Sequence, residues 1–144
     1  MTDLNDFPLE IKLRIDWSDL DVYEHVNNVN IIRYLQSARV NIWEKSGLYK
    51  SYKETNRGPM LVSSKVDFKK SLFYPGTITI KSRVGYIKNS SFSLEHTIFN
   101  ENGEACIEAR DAAVCFDFNT EKTYQIPADL RAIFERYSSK LNEI

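Results

Sequence analysis

Residues 15–39 read IDWSDLDVYEHVNNVNIIRYLQSAR. Between Ser18 and Asn28 lie two aspartates, a glutamate, a histidine and two asparagines, and a helical pattern begins directly after them. Capping a helix start takes one such side chain, at most two. The excess marks this entrance as a candidate site as well as a cap. From about Asn28 to Lys45 the apolar residues Ile31, Leu35, Ala38 and Ile42 recur at steps of four, three and four, which is one face of a helix. Gly47 is placed to end it. Ile32 and Trp43 widen the apolar surface, so the helix should lie on something broad, such as a sheet.

The flanking sequence supplies that sheet. Residues 10–16 (EIKLRID) alternate Ile11, Leu13 and Ile15 with Lys12 and Arg14, a strand signature. Residues 48–58 are polar and mixed, and read as a loop or a short irregular helix. Four strand-like runs follow at roughly 60–70, 76–87, 91–99 and 104–117, divided by turn signals at YPG (74–76), KNSS (88–91) and NENG (100–103). Such short connections make neighbouring strands antiparallel. In ARDAAVCFDF (109–118) the alternation blurs, which fits a bulge or a strand buried on both faces. A second helix is expected from about Ala128 to Leu141, with Leu130, Ile133, Phe134, Tyr137 and Leu141 on one side. The order predicts an α+β fold, one antiparallel sheet with its main helix packed on one face.

The chain's 144 residues read as a single domain spanning 1–144, long enough for a real core. A hydrophobic share of 42% with only five glycines and four prolines argues against disorder. Nineteen basic and twenty acidic residues leave a net charge of −1, so no overall field attracts nucleic acid. The start MTDLNDFPLE lacks the basic and apolar regions of a secretory signal, and no apolar run reaches the roughly 18 residues of a membrane span. Cys106 and Cys115 fall in one expected strand, roughly 30 Å apart, far beyond disulfide reach. They read as reduced core residues of a cytoplasmic protein. G-x-S-x-G, a phosphate-binding G-x-x-x-x-G-K-[ST] and clustered metal-ligand spacing are all missing, which argues against a serine hydrolase, a P-loop nucleotidase and a structural zinc site.

The stretch 15–39 resembles the signature of the hot-dog-fold thioesterases, the group around 4-hydroxybenzoyl-CoA thioesterase. Their motif runs approximately D-x-D-x-x-G-H-V-N-N-x-x-Y, followed by a helix carrying E-x-A-R. This sequence matches it at Asp19, Asp21, His25, Val26, Asn27, Asn28, Ala38 and Arg39. It departs from it at Glu24, Ile31 and Gln36, where the motif has Gly, Tyr and Glu. More loosely, VDFKKSLFYPGTITI (66–80), GYIKNSSFSLEH (85–96) and QIPADLRAIFE (125–135) look like later parts of the same fold. The resemblance implies a five-stranded antiparallel sheet wrapped around the long helix, with a C-terminal helix. It also implies homodimers, often paired into homotetramers, with active sites between subunits and no cofactor or metal.

By the same resemblance, the expected activity is hydrolysis of an acyl-CoA thioester. Asp21 would be the catalytic carboxylate, acting as nucleophile or as general base on water. A backbone N–H at the start of the central helix, from Asn28 or a neighbour, would polarise the carbonyl. A carboxylate beside a helix start suits the first task and exposed N–H groups the second. Asp19 reads first as a cap. His25 is either an acid–base partner or a residue that orders the loop, and Asn27 organises the helix entrance. Glu24, a candidate substrate-binding residue, would narrow the pocket, point to solvent, or act as a second carboxylate. Ser63 and Ser64 are candidate pocket residues, and Lys88, Asn89 and Ser90 form a turn that lies near the nucleotide in the family. Lys65, Lys69, Lys70, Lys81 and Arg83 read first as a solvent face and second as phosphate contacts. Arg39 reads as half of a structural ion pair, placed at the dimer contact. An enoyl-CoA hydratase of this fold is disfavoured, because that group separates its aspartate and histidine by four residues. Here Asp21 and His25 have three between them, and Asp19 and His25 have five. A non-catalytic acyl-binding protein of the same fold, or a thioesterase acting on acyl carrier protein, remain the alternatives.

Overall fold

Alternating sequence becomes one twisted antiparallel sheet in the computed structural model, which describes residues 7–138. Strand β1 (Leu9–Arg14) leads through a 3-10 turn (Trp17–Asp19) into helix α1 (Asn28–Lys45) and helix α2 (Leu48–Thr55). Strands β2 (Arg57–Phe68), β3 (Thr77–Ile87), β4 (Ser91–Phe99) and β5 (Ala105–Asp117) follow. A two-residue strand β6 (Lys122–Thr123) and helix α3 (Ala128–Arg136) complete the described chain. The spatial order is β1-β3-β4-β5-β2, with β6 paired to the end of β5. The five expected strands are present, and β6 is an addition that sequence did not announce.

Residues 48–58 contain a true helix, α2, with Leu48 as its one fully buried residue. Gly47 does not simply follow α1: at φ +85° it also opens α2, a left-handed conformation that glycine adopts without steric cost. The C-terminal helix ends at Arg136, before the expected limit. Leu141 lies outside the described residues.

One sheet face meets α1. Ile78, Ile80 and Val84 of β3, Leu94 and Ile98 of β4, and Ile107 and Ala113 of β5 are all buried there, against Leu35, Ala38 and Ile42 of the helix. The core divides into two apolar clusters, one around Leu35 and the other around Ile42 and Phe134. Ser82, His96, Asp111 and Arg39, all buried, form a polar layer linked by hydrogen bonds. This layer explains the blurred pattern in 109–118. Strand β5 alternates regularly, but Asp111 occupies an inward position where an apolar residue would be expected. The bulge is on the partner strand: register shifts between Leu61 and Ser63 of β2, leaving Val62 as the extra residue.

Cys106 and Cys115 are both free and buried. Burial pushes the Cys115 thiol up to about 11, so neither strand position offers a thiolate near neutrality.

Candidate active site

The polar run 16–30 folds into a compact entrance to α1. Asp16 caps the 3-10 turn, accepting from the Ser18 N–H at 3.1 Å and from the Ser18 hydroxyl. These bonds hold its carboxyl below the usual value. Asn27, not Asn28, is the N-cap of α1: its side chain accepts from the Val29 N–H at 2.8 Å. Asn28 is the first helical residue. Its N–H has no intramolecular hydrogen bond among the described residues, so a donor stands open at the positive end of the helix.

Asp21 sits in a tight loop closed by its own backbone. The Asp21 N–H donates to the His25 carbonyl (2.9 Å), and the Glu24 N–H donates to the Asp21 carbonyl (3.0 Å). The Asp21 carboxylate accepts at Oδ1 from the Tyr23 N–H (2.9 Å) and the His25 N–H (3.3 Å). Two donors on one oxygen orient the group and leave Oδ2 without a partner among the described residues. Glu24 makes the turn possible only at φ +64°, the left-handed region that favours glycine. The glycine of the resembling motif thus corresponds here to a turn position, and the Glu24 side chain is exposed.

The loop before β3 closes the site. Val26 donates its N–H to the Leu72 carbonyl (2.9 Å), and His25 pairs with Phe73 as an isolated bridge. The His25 ring meets the Phe73 ring edge-on at 5.0 Å, and its Nδ1 lies 3.4 Å from the Ser71 hydroxyl. Those contacts tie one loop to the other. Trp17, Leu20, Tyr23, Phe73 and Tyr74 surround Asp21, Glu24 and His25 in an open cleft of about 910 Å³. Nothing in the SLFYPG sequence carried a motif that would have nominated Phe73 and Tyr74. Only the pairing of the two loops places them here.

The other expected residues are elsewhere. Ser63 and Ser64 are exposed on β2, with Ser64 directly opposite Asp111. Neither lines the cleft around Asp21. Lys88, Asn89 and Ser90 form a turn after β3, at the far end of that strand from Gly76, whose carbonyl accepts from Ile15 beside the site. Eleven strand residues separate the two ends, roughly 35 Å. Within one chain, then, this turn is not part of the cleft. Arg131 instead binds the Lys88 carbonyl, and Ile126 binds that of Asn89. Lys69 lies 3.1 Å from Glu108, Lys81 3.4 Å from Glu10 and Arg83 2.8 Å from Glu95, and Lys70 pairs with Glu104. Lys65 is exposed on β2. Arg39 does form an ion pair, but it is internal: Nη1 reaches Asp111 Oδ2 at 3.1 Å.

Fold and site together define a hot-dog protein whose helix entrance carries an oriented carboxylate. A family model described as the thioesterase-like superfamily matches residues 15–134, and the chain belongs to that superfamily. It is 25% identical over 129 residues to the long-chain acyl-CoA thioesterase FadM of Escherichia coli K12, covering 89% of this chain and 98% of that protein. Among solved structures, the PA5185 protein of Pseudomonas aeruginosa PAO1 superposes with a TM-score of 0.83 at 27% identity, covering 94% of each chain. PA2801, a putative thioesterase of Pseudomonas aeruginosa, gives a TM-score of 0.78 at 25% identity, covering 86% of this chain and 95% of that one. Among the described residues no helix is long and apolar enough to cross a membrane.

Proposed function

We propose that this protein hydrolyses acyl-CoA thioesters to the free acid and CoA. Asp21 supplies the carboxylate, through Oδ2, to activate water or attack the carbonyl carbon. The Asn28 N–H at the start of α1 supplies the oxyanion donor. The observation that carries this reading is the geometry of Asp21. One carboxylate oxygen is fixed by two backbone N–H groups, the other is uncommitted, and Asp21 lines an open cleft in the loop that leads into α1. Preorganised donors of this kind are commonly worth about 10²–10³ in rate. Family membership supports thioester chemistry over other uses of the same groups, and similarity to FadM supports CoA as the thiol carrier.

The active unit we propose is a homodimer. β2 is an edge strand of twelve residues, and it exposes Leu61, Val62 and Phe68. An edge strand of this length with exposed apolar residues is a ready template for pairing with another strand.

Thiol release from short, long and aromatic acyl-CoAs, compared between the wild type and Asp21→Asn, tests the reading. Turnover that collapses in the variant with folding intact supports it. Binding of acyl-CoA without thiol release by the wild type favours a non-catalytic acyl-binding protein. Turnover only with acyl carrier protein would change the carrier and keep the chemistry.

A further inference from the structure

Asp19 lies two residues before Asp21 and does more than a cap requires. As a capping residue it need only accept the Asp16 N–H, which it does through Oδ2 at 3.0 Å. Yet the Asp19 side chain is only 4% exposed, and its carboxylate takes two further donors from α1. The Tyr34 hydroxyl donates to Oδ2 at 2.6 Å, and Arg33 Nη2 donates to Oδ1 at 2.6 Å. The Asp19 carbonyl accepts from the Asn27 N–H at 2.9 Å and from the Asn30 side-chain amide at 3.1 Å. One residue therefore bonds the N-cap and the first two turns of α1 to the segment that carries Asp21.

We propose that Asp19, gripped by Arg33 and Tyr34, is a positioning residue that fixes the Asp21 carboxylate relative to the N-terminus of α1. The inference rests on the reading of Asp21 above. Two trans peptides set Asp19 and Asp21 at most about 7 Å apart, so a shift of the first is passed to the second. Arg33 offsets the buried charge while keeping most of its own side chain in water, which limits its desolvation cost. Burial first, and the bond to Asp19 second, raise the Tyr34 phenol far above its usual value. It remains a proton donor to Asp19 across the working range. A misplacement of about 1 Å between reacting groups can cost on the order of a hundredfold in rate.

The test measures kcat, KM and Tm for Tyr34→Phe, Arg33→Met and Arg33→Lys, and for Tyr34→Phe combined with Asp21→Asn. Arg33 is largely exposed, so its variants should fold. Expected are kcat losses of roughly ten- to a hundredfold for Tyr34→Phe and Arg33→Met with KM nearly unchanged. Arg33→Lys should recover most of the rate. In the Asp21→Asn background, Tyr34→Phe should leave the residual rate nearly unchanged, because no charged carboxylate is left to position. Unchanged kcat in both single variants overturns the proposal, whatever happens to Tm. An equal fold loss in the Asp21→Asn background overturns it too, since Asp19 would then act independently of Asp21. Asp21→Asn alone as active as wild type would overturn the reading of Asp21 itself, and that single variant distinguishes the two failures.

Discussion

Arg39 and Asp111 meet in the interior, 72 positions apart in sequence, with Arg39 Nη1 donating to Asp111 Oδ2 at 3.1 Å. The same oxygen takes His96 Nε2 at 2.8 Å, and His96 Nδ1 lies 2.7 Å from the Ser82 hydroxyl. Gln36 completes the Arg39 shell, accepting from Nε and Nη2. The buried pair ties α1 to β5 across the interior. Removing one partner leaves the other uncompensated. Arg39→Met should therefore destabilise the fold by about 3–5 kcal/mol, read as a fall in the urea midpoint with unchanged m. A loss under about 1 kcal/mol would mean that the layer tolerates an unpaired Asp111.

The same layer should give the protein an acid limb. Burial alone would raise the Asp111 carboxyl, but the hydrogen bond and charge of His96, the Ser64 hydroxyl and Arg39 outweigh it and hold the group below its ordinary value. A carboxyl lowered in the folded state binds protons more tightly when unfolded. Its stabilisation is full above the unfolded value near 3.9 and is lost as pH falls through the lower folded value. Urea midpoints measured from pH 6 downward should fall steeply only below about pH 4. Asp111→Asn should be less stable than the wild type above about pH 4, with the difference shrinking at lower pH as that part of the slope disappears.

Much of this fold could be read from the sequence because its signals are local. Ile78, Ile80 and Val84 alternate within one strand, and Ile31, Leu35, Ala38 and Ile42 repeat within one helix. The polar run 18–28 was legible as a candidate site through its excess of hydrogen-bonding groups and its resemblance to a motif. The polar layer was not legible, because Ser82, His96, Asp111 and Arg39 come from four elements and each looks ordinary alone. Asp19 was underread for a similar reason: its carboxylate partners, Arg33 and Tyr34, lie fourteen and fifteen residues away. Residues 48–58 left two readings open, a loop or a short irregular helix, because an eight-residue helix with one fully buried residue offers few positions to judge by.

Glu24 gives a prediction about strain. At φ +64° an L-residue other than glycine or asparagine pays roughly 1–2 kcal/mol, while glycine adds an unfolded-state entropy cost of about half that. Glu24→Gly should therefore be neutral or raise stability slightly. Glu24→Val, β-branched and unsuited to positive φ, should lower it by about 1–2 kcal/mol. Thermal melts of the three proteins at one pH decide it, and a Val variant as stable as the wild type would mean that the loop relaxes.

Gly85 sits where the β3–β4 register shifts, between Val84 and Ile87. A Cβ there would lie 2.2 Å from the Ser93 hydroxyl oxygen, which already accepts from the Tyr86 N–H at 2.8 Å. Gly85→Ala must push Ser93 aside and break that bond, at a cost of about 1–3 kcal/mol. Adding Ser93→Ala removes the clashing oxygen, so the double variant should be more stable than Gly85→Ala alone. A double variant no better than the single one would place the conflict in the backbone.

The edge strand β2 carries the last prediction. Val62 is the bulge residue, 56% exposed, flanked by Leu61 and by the exposed Ser63 and Ser64. If two copies pair along β2, Val62 lies near the middle of the contact, and Val62→Glu brings two carboxylates together at a buried strand pair. Like charges facing across strands are destabilising, and burying them without partners costs several kcal/mol more. The variant should sediment as a monomer at concentrations where the wild type is a dimer, and it should keep the far-UV signature of the fold, since Val62 is outside the core. Its thiol release should fall as well if a partner subunit completes the site, as the resemblance to the family implies. A variant that stays dimeric would move the interface off β2. One that becomes monomeric with full turnover would show that a single chain holds the whole site.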